Sequence, residues 1–429
     1  MLATADHPPS LWAETAPSPP ETAGLREATE TEVVVVGGGF TGLSTALHLL
    51  HAGKSVVVLE AREIGSGASG RNNGQVIPTL TRPDPDDFVA HFGGETGERF
   101  VAMLAGAAAT LFDVVRRHDI ACEAEQNGWL QPAHSPGRMK IAERRVAQWS
   151  RHGGDVAMVD RDMMRDLLGS DRWFGGWTAR TGGTVNPLAL ARGMAQAVID
   201  LGGRVFTQSP ASAPRRSGDR WVVGTPDGQV TADALVMATN TYTDDVNPDL
   251  AHEVVPVTSW QMATEPLSDN LRKSIVPGRQ AVSDTRGDLH FFRYDKDGRL
   301  VTGGALINPI NAEARLKRRI GDRLTGVFPQ LGEVRFTHVW NGYVGMTPDF
   351  KPRFHKLGPN ALGWAGCNGR GVSLSVALGR EFARALTGTP ENELALKFEP
   401  VRPIPFQPLL RRVARLNLAL YRWRDSQEP

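Results

Sequence analysis

The alternation of apolar and polar positions is clearest near the start of the chain. Val33–Val36 runs into Gly37-Gly38-Gly39-Phe40-Thr41-Gly42, a helix-like run extends from Leu43 to Ala52, and a second apolar run, Val56–Leu59, ends at Glu60. Short apolar runs bounded by turn residues read as buried strands, so the stretch predicts strand, glycine turn, helix, strand. In that setting Gly37, Gly39 and Gly42 have the G-x-G-x-x-G spacing of a dinucleotide site. The first glycine suits a tight turn, the second a close approach of backbone to pyrophosphate, and the third the packing of helix on strand. Phosphates would sit at the helix N-terminus beside Phe40 and Thr41, where unpaired N–H groups favour negative charge. Glu60, at the end of the second strand, can accept hydrogen bonds from a ribose diol and would repel a 2′-phosphate.

Beyond Glu60 the run Ala61 to Gln75 is dense in glycine and small polar residues and too long for a turn. It predicts a loop wrapped on a ligand, with Ser69, Asn72 and Gln75 as hydrogen-bonding groups. Helical spacing over 86 to 120 puts Phe100, Leu104, Leu111 and Val115 on one face, a strand is expected about Trp129, and helical spacing returns over 136 to 168 with a break at Gly153-Gly154. A helix over Leu188 to Leu201, a strand at Arg204-Val205-Phe206 and a hairpin at Asp227-Gly228 follow. The strand Asp233 to Met237 runs into Ala238-Thr239-Asn240; joined to the sheet beside the first strand, it would bring these three residues to the carboxyl edge, where doubly wound folds bind ligands. Strands are also expected at 254–257, 289–294 and 300–304. Gly366 to Val372 leads straight into a helix-like run from Ser373.

Composition narrows the class. The chain has 429 residues, 41% hydrophobic and 22% charged, with a formal net charge of +1, which suits a globular protein and argues against nucleic acid as a partner. Cys122 and Cys367 make neither a disulfide framework nor a zinc site, and with no apolar run of spanning length and no signal-like start, a cytoplasmic location is expected. Residues 1–30 are rich in proline and read as an extended arm that Leu11 and Trp12 could tack to the body. At the other end, residues 409 to 424 form a basic amphipathic helix. Its apolar face is expected on the body with the arginines solvated; a membrane surface is the less favoured partner.

Four motifs in this order resemble those of the D-amino-acid oxidase superfamily of flavoproteins: the fingerprint, the loop with Gly67-Ala68-Ser69-Gly70-Arg71-Asn72, the Ala238-Thr239-Asn240 strand end, and Gly366 to Val372. Within it the chain looks closest to the gamma-glutamylputrescine oxidase-like branch, and the likeness covers nearly the whole sequence. The resemblance implies an α/β fold: a Rossmann-like FAD-binding domain (31–85, 150–240 and 345–395) with an inserted α+β substrate domain (86–149 and 241–344) containing a large antiparallel sheet. The arm (1–30) and the helical end (396–429) flank them. It implies FAD contacts from Gly37, Gly39, Phe40, Thr41, Gly42, Glu60, Ala61, Arg62, Gly67, Ala68, Ser69, Arg71, Asn72, Gly74, Gln75, Val205, Ala238, Thr239, Asn240, Asn368, Gly369, Arg370, Gly371 and Val372. The helix following Gly371 would stabilise negative charge on the reduced flavin's pyrimidine edge.

Two departures bear on chemistry. The α-amino-acid oxidases place a carboxylate-gripping arginine in a W-x-G-x-R pattern; the matching residue here is Val344, so either another arginine takes that task or the substrate lacks an α-carboxylate. Sarcosine oxidases carry a flavin-linking cysteine where Gly342 stands, so non-covalent FAD is expected, with Cys367 a buried thiol. The implied activity is oxidation of a C–N bond in a small-molecule amine or N-substituted amino acid by hydride loss to flavin N5, followed by imine hydrolysis and reoxidation by oxygen. His290, Arg293 and Tyr343 are candidates for the reacting pocket. A dehydrogenase passing electrons to a quinone or carrier, and a non-redox FAD protein on the same fold, are the alternatives.

Overall fold

A computed structural model describes residues 7–308, 310–414 and 416–428. The fingerprint region folds as β1 (Ala28–Val36), α2 (Phe40–His51) and β2 (Val56–Leu59), preceded by a short helix α1 (Leu11–Thr15) in the arm. β1 begins five residues before the valine run because its first half alternates exposed and buried positions instead of being wholly buried. Its last four residues pair with β2 in parallel, Val33 to Val36 opposite Val56 to Leu59. On the other side β1 pairs in parallel with β11 (Gln229–Met237), which delivers Ala238 to Asn240 to the carboxyl edge as expected. The same sheet holds β8 (Arg204–Phe206), β9 (Arg215–Ser217), β10 (Arg220–Gly224), β17 (Arg353–Gly358), β18 (Ala361–Ala365) and β19 (Phe398–Glu399), in the order β19-β17-β18-β11-β1-β2-β8, with β10 and β9 branching from β11.

The helices α8 (Pro187–Asp200) and α12 (Gly371–Leu386) pack against α2. The approach of α12 is close: a Cβ on Gly379 would lie 2.4 Å from Ser44 Cβ, and Ser44 Oγ donates to the Val376 carbonyl at 2.7 Å. These helices share a core with α3 (Pro85–Phe92), α4 (Gly94–Ala105) and α5 (Ala107–Arg117). The single helix expected over 86 to 120 is therefore three, broken at Gly93 and Gly106, and Gly93 has φ +80, a conformation that ends a helix at low cost only for glycine.

A second sheet of eight strands carries β4 (Trp129–Pro132), β5 (Val156–Val159), β6 (Gly176–Ala179), β12 (Val255–Thr264), β13 (Ala281–Ser283), β14 (Phe291–Tyr294), β15 (Leu300–Gly304) and β16 (Phe336–Met346), in the order β16-β12-β15-β14-β13-β4-β6-β5. It is antiparallel except where β13 runs parallel to β4. The segment 150–240 was expected in the nucleotide unit as a whole, yet β5 and β6 belong to this second sheet. Their partner explains it: β6 pairs antiparallel with β4, and the Trp177 indole donates to Gln131 on that strand at 2.9 Å. β5 also interrupts the helical reading of 136–168, leaving α6 (Met139–Arg151) and α7 (Arg161–Leu168) on either side. The short helices α9 (Pro248–Ala251) and α10 (Asp269–Ser274) lie at the ends of β12, and α11 (Ala312–Val327) packs on β15. A two-stranded ribbon of β3 (Gln75–Val76) and β7 (Gly183–Thr184) completes the set.

The C-terminal region forms α13 (Gln407–Val413) and α14 (Leu416–Gln427). Here the expected orientation is reversed. The body-facing contacts are polar: Arg422 pairs with Asp288, Asp425 accepts the N–H groups of Gly287 and Asp288 at 2.9 and 3.1 Å, and Glu428 pairs with Arg138. The apolar side chains point outward, with Leu416 61% and Trp423 60% exposed. Asp288 explains the reversal, because it is a buried carboxylate that also pairs with Arg319 and Arg323 and draws Arg422 inward. Among the described residues no helix is long and apolar enough to cross a membrane.

Candidate active site

One large cavity, about 1570 Å³, lies between the two sheets. A pocket for one small ligand is usually about 300–1,000 Å³, so this space suits a dinucleotide and a second molecule together. At one end it is floored by the glycine turn. Gly37 has φ +110, and a Cβ on Gly42 would come within 2.0 Å of the Gly37 carbonyl oxygen, so the turn and the first turn of α2 are in direct contact. Gly42 therefore acts through packing and does not line the cavity, whereas Gly37, Gly39, Phe40 and Thr41 do. Glu60 accepts the Gly38 and Arg62 N–H groups at 2.8 and 3.1 Å; burial still raises its carboxyl above the usual range. Each oxygen retains acceptor capacity for a diol. Glu60, Ala61 and Arg62 line this end, but Val205 does not: the wall beside β8 is built by residues 208 and 210–213 after the strand turns away.

The loop between β2 and β3 lines the middle of the cavity through Gly67, Ala68, Ser69, Arg71, Asn72, Gly74 and, where it enters β3, Gln75. Much of its polar chemistry is internal. Ser69 Oγ accepts the Phe40 N–H at 3.0 Å, Asn72 donates to the carbonyls of Ala68 and Ser69, and its own oxygen accepts the Gly74 N–H at 2.8 Å. Asn72 thus shapes the loop. Two indoles clamp it from outside: Trp12 of the arm donates to Asn72 O at 2.8 Å, and Trp340 of β16 donates to Arg71 O at 2.9 Å, the rings meeting edge to face at 5.8 Å. The arm is a structural part of the site.

Ala238, Thr239 and Asn240 line the cavity at the carboxyl edge, with Asn240 in the left-handed region (φ +44) and its oxygen accepting the Gly366 N–H. Asn368, Gly369, Arg370, Gly371 and Val372 line it from the start of α12. Asn368 accepts the Thr347 N–H at 2.9 Å and donates to Gly366 O, so its side chain also braces a loop. Burial, with Arg145 nearby, lowers the Arg370 guanidinium to about 9; it donates to Thr79 and Leu80 and lies over Trp129 at 4.6 Å. Cys367 is buried with its thiol toward Gly345 O.

Of the three reacting-pocket candidates the cavity receives one. Tyr343 lines it beside Gly342 and Val344, and its N–H donates to the hydroxyl of Tyr242, whose ring meets Tyr343 at 6.0 Å. Burial raises the Tyr242 phenol, keeping it neutral. Tyr242 escaped sequence reasoning although it stands two residues after Asn240, in the same strand-end run. His290 is buried away from the cavity, held neutral by desolvation and by the Arg323 and Arg286 charges, with its ring 3.9 Å from Asp284. Arg293 is also buried outside it: its guanidinium donates to the carbonyls of Asn73, Tyr294 and Val185 and covers the Trp12 ring at 4.6 Å. Phe291 and Arg293 share one face of β14, yet Phe291 lines the cavity while Arg293 is drawn under the loop by the Asn73 and Val185 carbonyls, and His290, just before the strand, falls on the opposite face. The remaining wall comes from β12, through residues such as Thr258 and Gln261, and from α13 and α14, through Arg411 and Tyr421. Tyr421 lies over Arg82, which also covers Phe350. None of these had a local sequence signal.

Four residues of the cavity wall also carry polar atoms buried behind its surface with no protein partner among the described residues: Asn73 Oδ1, Gln75 Oε1, Thr241 Oγ1 and Trp364 Nε1. The fit to a dinucleotide rests on the glycine turn, whose space a Cβ would fill, on the Glu60 carboxylate at the end of β2, and on the size of the cavity. Residues 32–385 match the family model described as FAD dependent oxidoreductase. The chain belongs to that family. Its cofactor is FAD. This FAD-dependent oxidoreductase is 33% identical over 423 residues to a gamma-glutamylputrescine oxidoreductase of Escherichia coli, covering 98% of this chain and 99% of that one. It is 30% identical to a probable oxidoreductase, OrdL, of Rhizobium meliloti, covering 88% of each. Among solved structures it shares the fold of a glycine oxidase from Geobacillus kaustophilus, with a TM-score of 0.70 at 16% identity, covering 88% of this chain and 99% of that one. An L-proline dehydrogenase from P. horikoshii has the same TM-score at 19% identity, covering 84% and 94%.

Proposed function

We propose that the protein oxidises the C–N bond of an amine or N-substituted amino acid, an acylated amine of the gamma-glutamylputrescine kind being favoured, with oxygen as the final acceptor. The observation that carries this reading is Val344. It lines the cavity beside Gly369, whose Cβ position lies 3.9 Å from Val344 Cγ1, so the place of an α-carboxylate clamp is apolar. The full-length likeness to a protein named for gamma-glutamylputrescine supports the same substrate class.

The bound FAD would supply the acceptor for a hydride from the amine carbon. The glycine turn, Glu60 and the Gly67 to Gln75 loop would hold its adenine and pyrophosphate, and the N-terminus of α12 would face its ring. The protein's own work is then orientation and desolvation: Tyr343, Tyr242 and Val344 line the pocket with no acidic side chain among them, and the Arg411 guanidinium 6.0 Å from the Tyr343 ring favours an amine in its uncharged form, with its lone pair free. The amine loses a hydride and a proton to become an imine, and water cleaves the imine to a carbonyl compound and a smaller amine. No strong base is required of the walls.

The test is anaerobic mixing of the holoenzyme with acylated diamines, N-methyl amino acids and D-amino acids. Bleaching of the flavin band by acylated diamines, followed by peroxide release on admitting air, is the expected result. Bleaching without peroxide would make the protein a dehydrogenase, and no bleaching by any member of the panel would remove amine oxidation altogether.

A further inference from the structure

We infer that α13 and α14 form a docking face for an anionic phospholipid bilayer. The inference rests on the outer surface of the molecule and not on the identity of the amine. Of the eleven large apolar side chains that are exposed among the described residues, seven lie between Phe406 and Trp423. Phe406 is 82% exposed and Leu409 58%. Along α14 the outward residues Leu416, Leu420 and Trp423 follow the i, i+4, i+7 spacing of one helical face. The opposite face, with Tyr421, Arg422 and Asp425, is fixed to the body through Arg82, Asp288 and Gly287. Thus the apolar stripe is not a core stripe that has drifted outward, because the contacts that hold the helix are polar and lie elsewhere.

Charge decides what covers this face. From Val401 to Arg424 the sequence contains six arginines and no aspartate or glutamate. Arg411, Arg412 and Arg424 are exposed beside the apolar residues. A two-fold contact between copies would set the same patch against itself, arginine against arginine, with no acid in the segment to relieve it. An anionic lipid surface instead offers phosphates to the arginines and an acyl boundary to Leu, Phe and Trp, the chemistry of helices that lie in the plane of a membrane. Leu410 and Val413 belong both to this face and to the cavity wall, so docking would bring the mouth of the cavity to the lipid surface.

The test is sedimentation of the full-length holoenzyme with vesicles of phosphatidylcholine alone or mixed with phosphatidylglycerol. Partition onto the mixed vesicles, weakened by added salt and absent from the neutral ones, is expected. The double variant Arg412→Gln/Arg424→Gln should weaken partition about 25-fold, from about fivefold for each arginine near a charged surface. Leu420→Asp/Trp423→Asp should weaken it at least about tenfold. None of the four residues lines the cavity, and retained flavin absorbance will show that the variants are folded. The inference is overturned by failure to bind either vesicle, by equal binding to both, by variants that bind like the parent, or by a concentration-dependent dimer in vesicle-free solution that Leu420→Asp/Trp423→Asp dissolves.

Discussion

The two ends of the cavity are built by different means. The end floored by Gly37 and Gly42 comes from one continuous stretch, and its work is done by backbone held close by glycine. The end walled by Tyr343, Arg82 and Tyr421 comes from segments hundreds of residues apart, and its work is done by side chains held by polar contacts to one another. The first kind of site tolerates no added atom; the second can exchange side chains provided its anchors stay. That difference orders the expected effects of substitution.

The largest effect belongs to the continuous end. In Gly42→Val a side chain must occupy space 2.0 Å from the Gly37 carbonyl oxygen, a backbone atom that cannot swing aside. A cost above about 3 kcal/mol follows, which corresponds to a loss of flavin retention of more than about 100-fold. The ratio of flavin to protein absorbance after gel filtration reads it directly. Purification of this variant with its full complement of flavin would mean that the two ends do not differ as argued.

Next comes an anchor beneath the loop between them. Arg293→Met removes the donors to Asn73 O, Tyr294 O and Val185 O and leaves three carbonyls under the loop unpaired. A loss of roughly 2–4 kcal/mol in stability is expected from unsatisfied buried groups. The thermal midpoint falls, while the pH profile of turnover in the surviving enzyme keeps its shape, because Arg293 does not reach the cavity. A changed profile with an unchanged midpoint would restore Arg293 as a reacting group.

The smallest effect is a pH effect at the discontinuous end. His134 contacts Thr285 at 2.9 Å and lies 3.4 Å from Glu428, which is joined to the end of α14; burial and the Arg286 and Arg138 charges lower it to about 4. An unfolded histidine titrates near 6.5, so below that pH the unfolded chain binds a proton that the folded one refuses. The stabilisation is complete above about pH 6.5 and is lost as pH falls toward 4, by up to about 1.4 kcal/mol per pH unit. His7, also lowered to about 4, and His290 act in the same direction. Thermal midpoints at pH 7 and pH 5 should differ less in His134→Asn than in the parent. An equal difference in both would place the acid sensitivity elsewhere.

The same contrast explains what could be read from the sequence. The glycine turn, Glu60, the Gly67 to Gln75 loop and the Ala238 to Asn240 edge were legible because each is a local pattern with a local cause: a turn, a helix start, a strand end. Asn72 and Asn368 line the cavity, and their side chains also brace loops through bonds that no local pattern announces. His290 and Arg293 fall outside the cavity for separate reasons that periodicity does not carry: His290 is on the face opposite Phe291, and Arg293, on the same face as Phe291, is held under the loop by carbonyls distant in sequence. β5 was lost to a helical pattern that only its pairing with β6 overrules. Tyr421 and Arg82 had no local signal, as their meeting depends on where α14 comes to rest. The outward turn of the apolar stripe on α14 depends on Asp288, more than a hundred residues earlier.

The position of Tyr421 has a consequence for how the protein is made. Every strand of the first sheet and the starts of α2 and α12 lie before Gln407, so they leave the ribosome ahead of α13 and α14. The last part of the wall is thus added to a sheet already synthesised, and Tyr421 can stack on Arg82 only once α14 has come to rest.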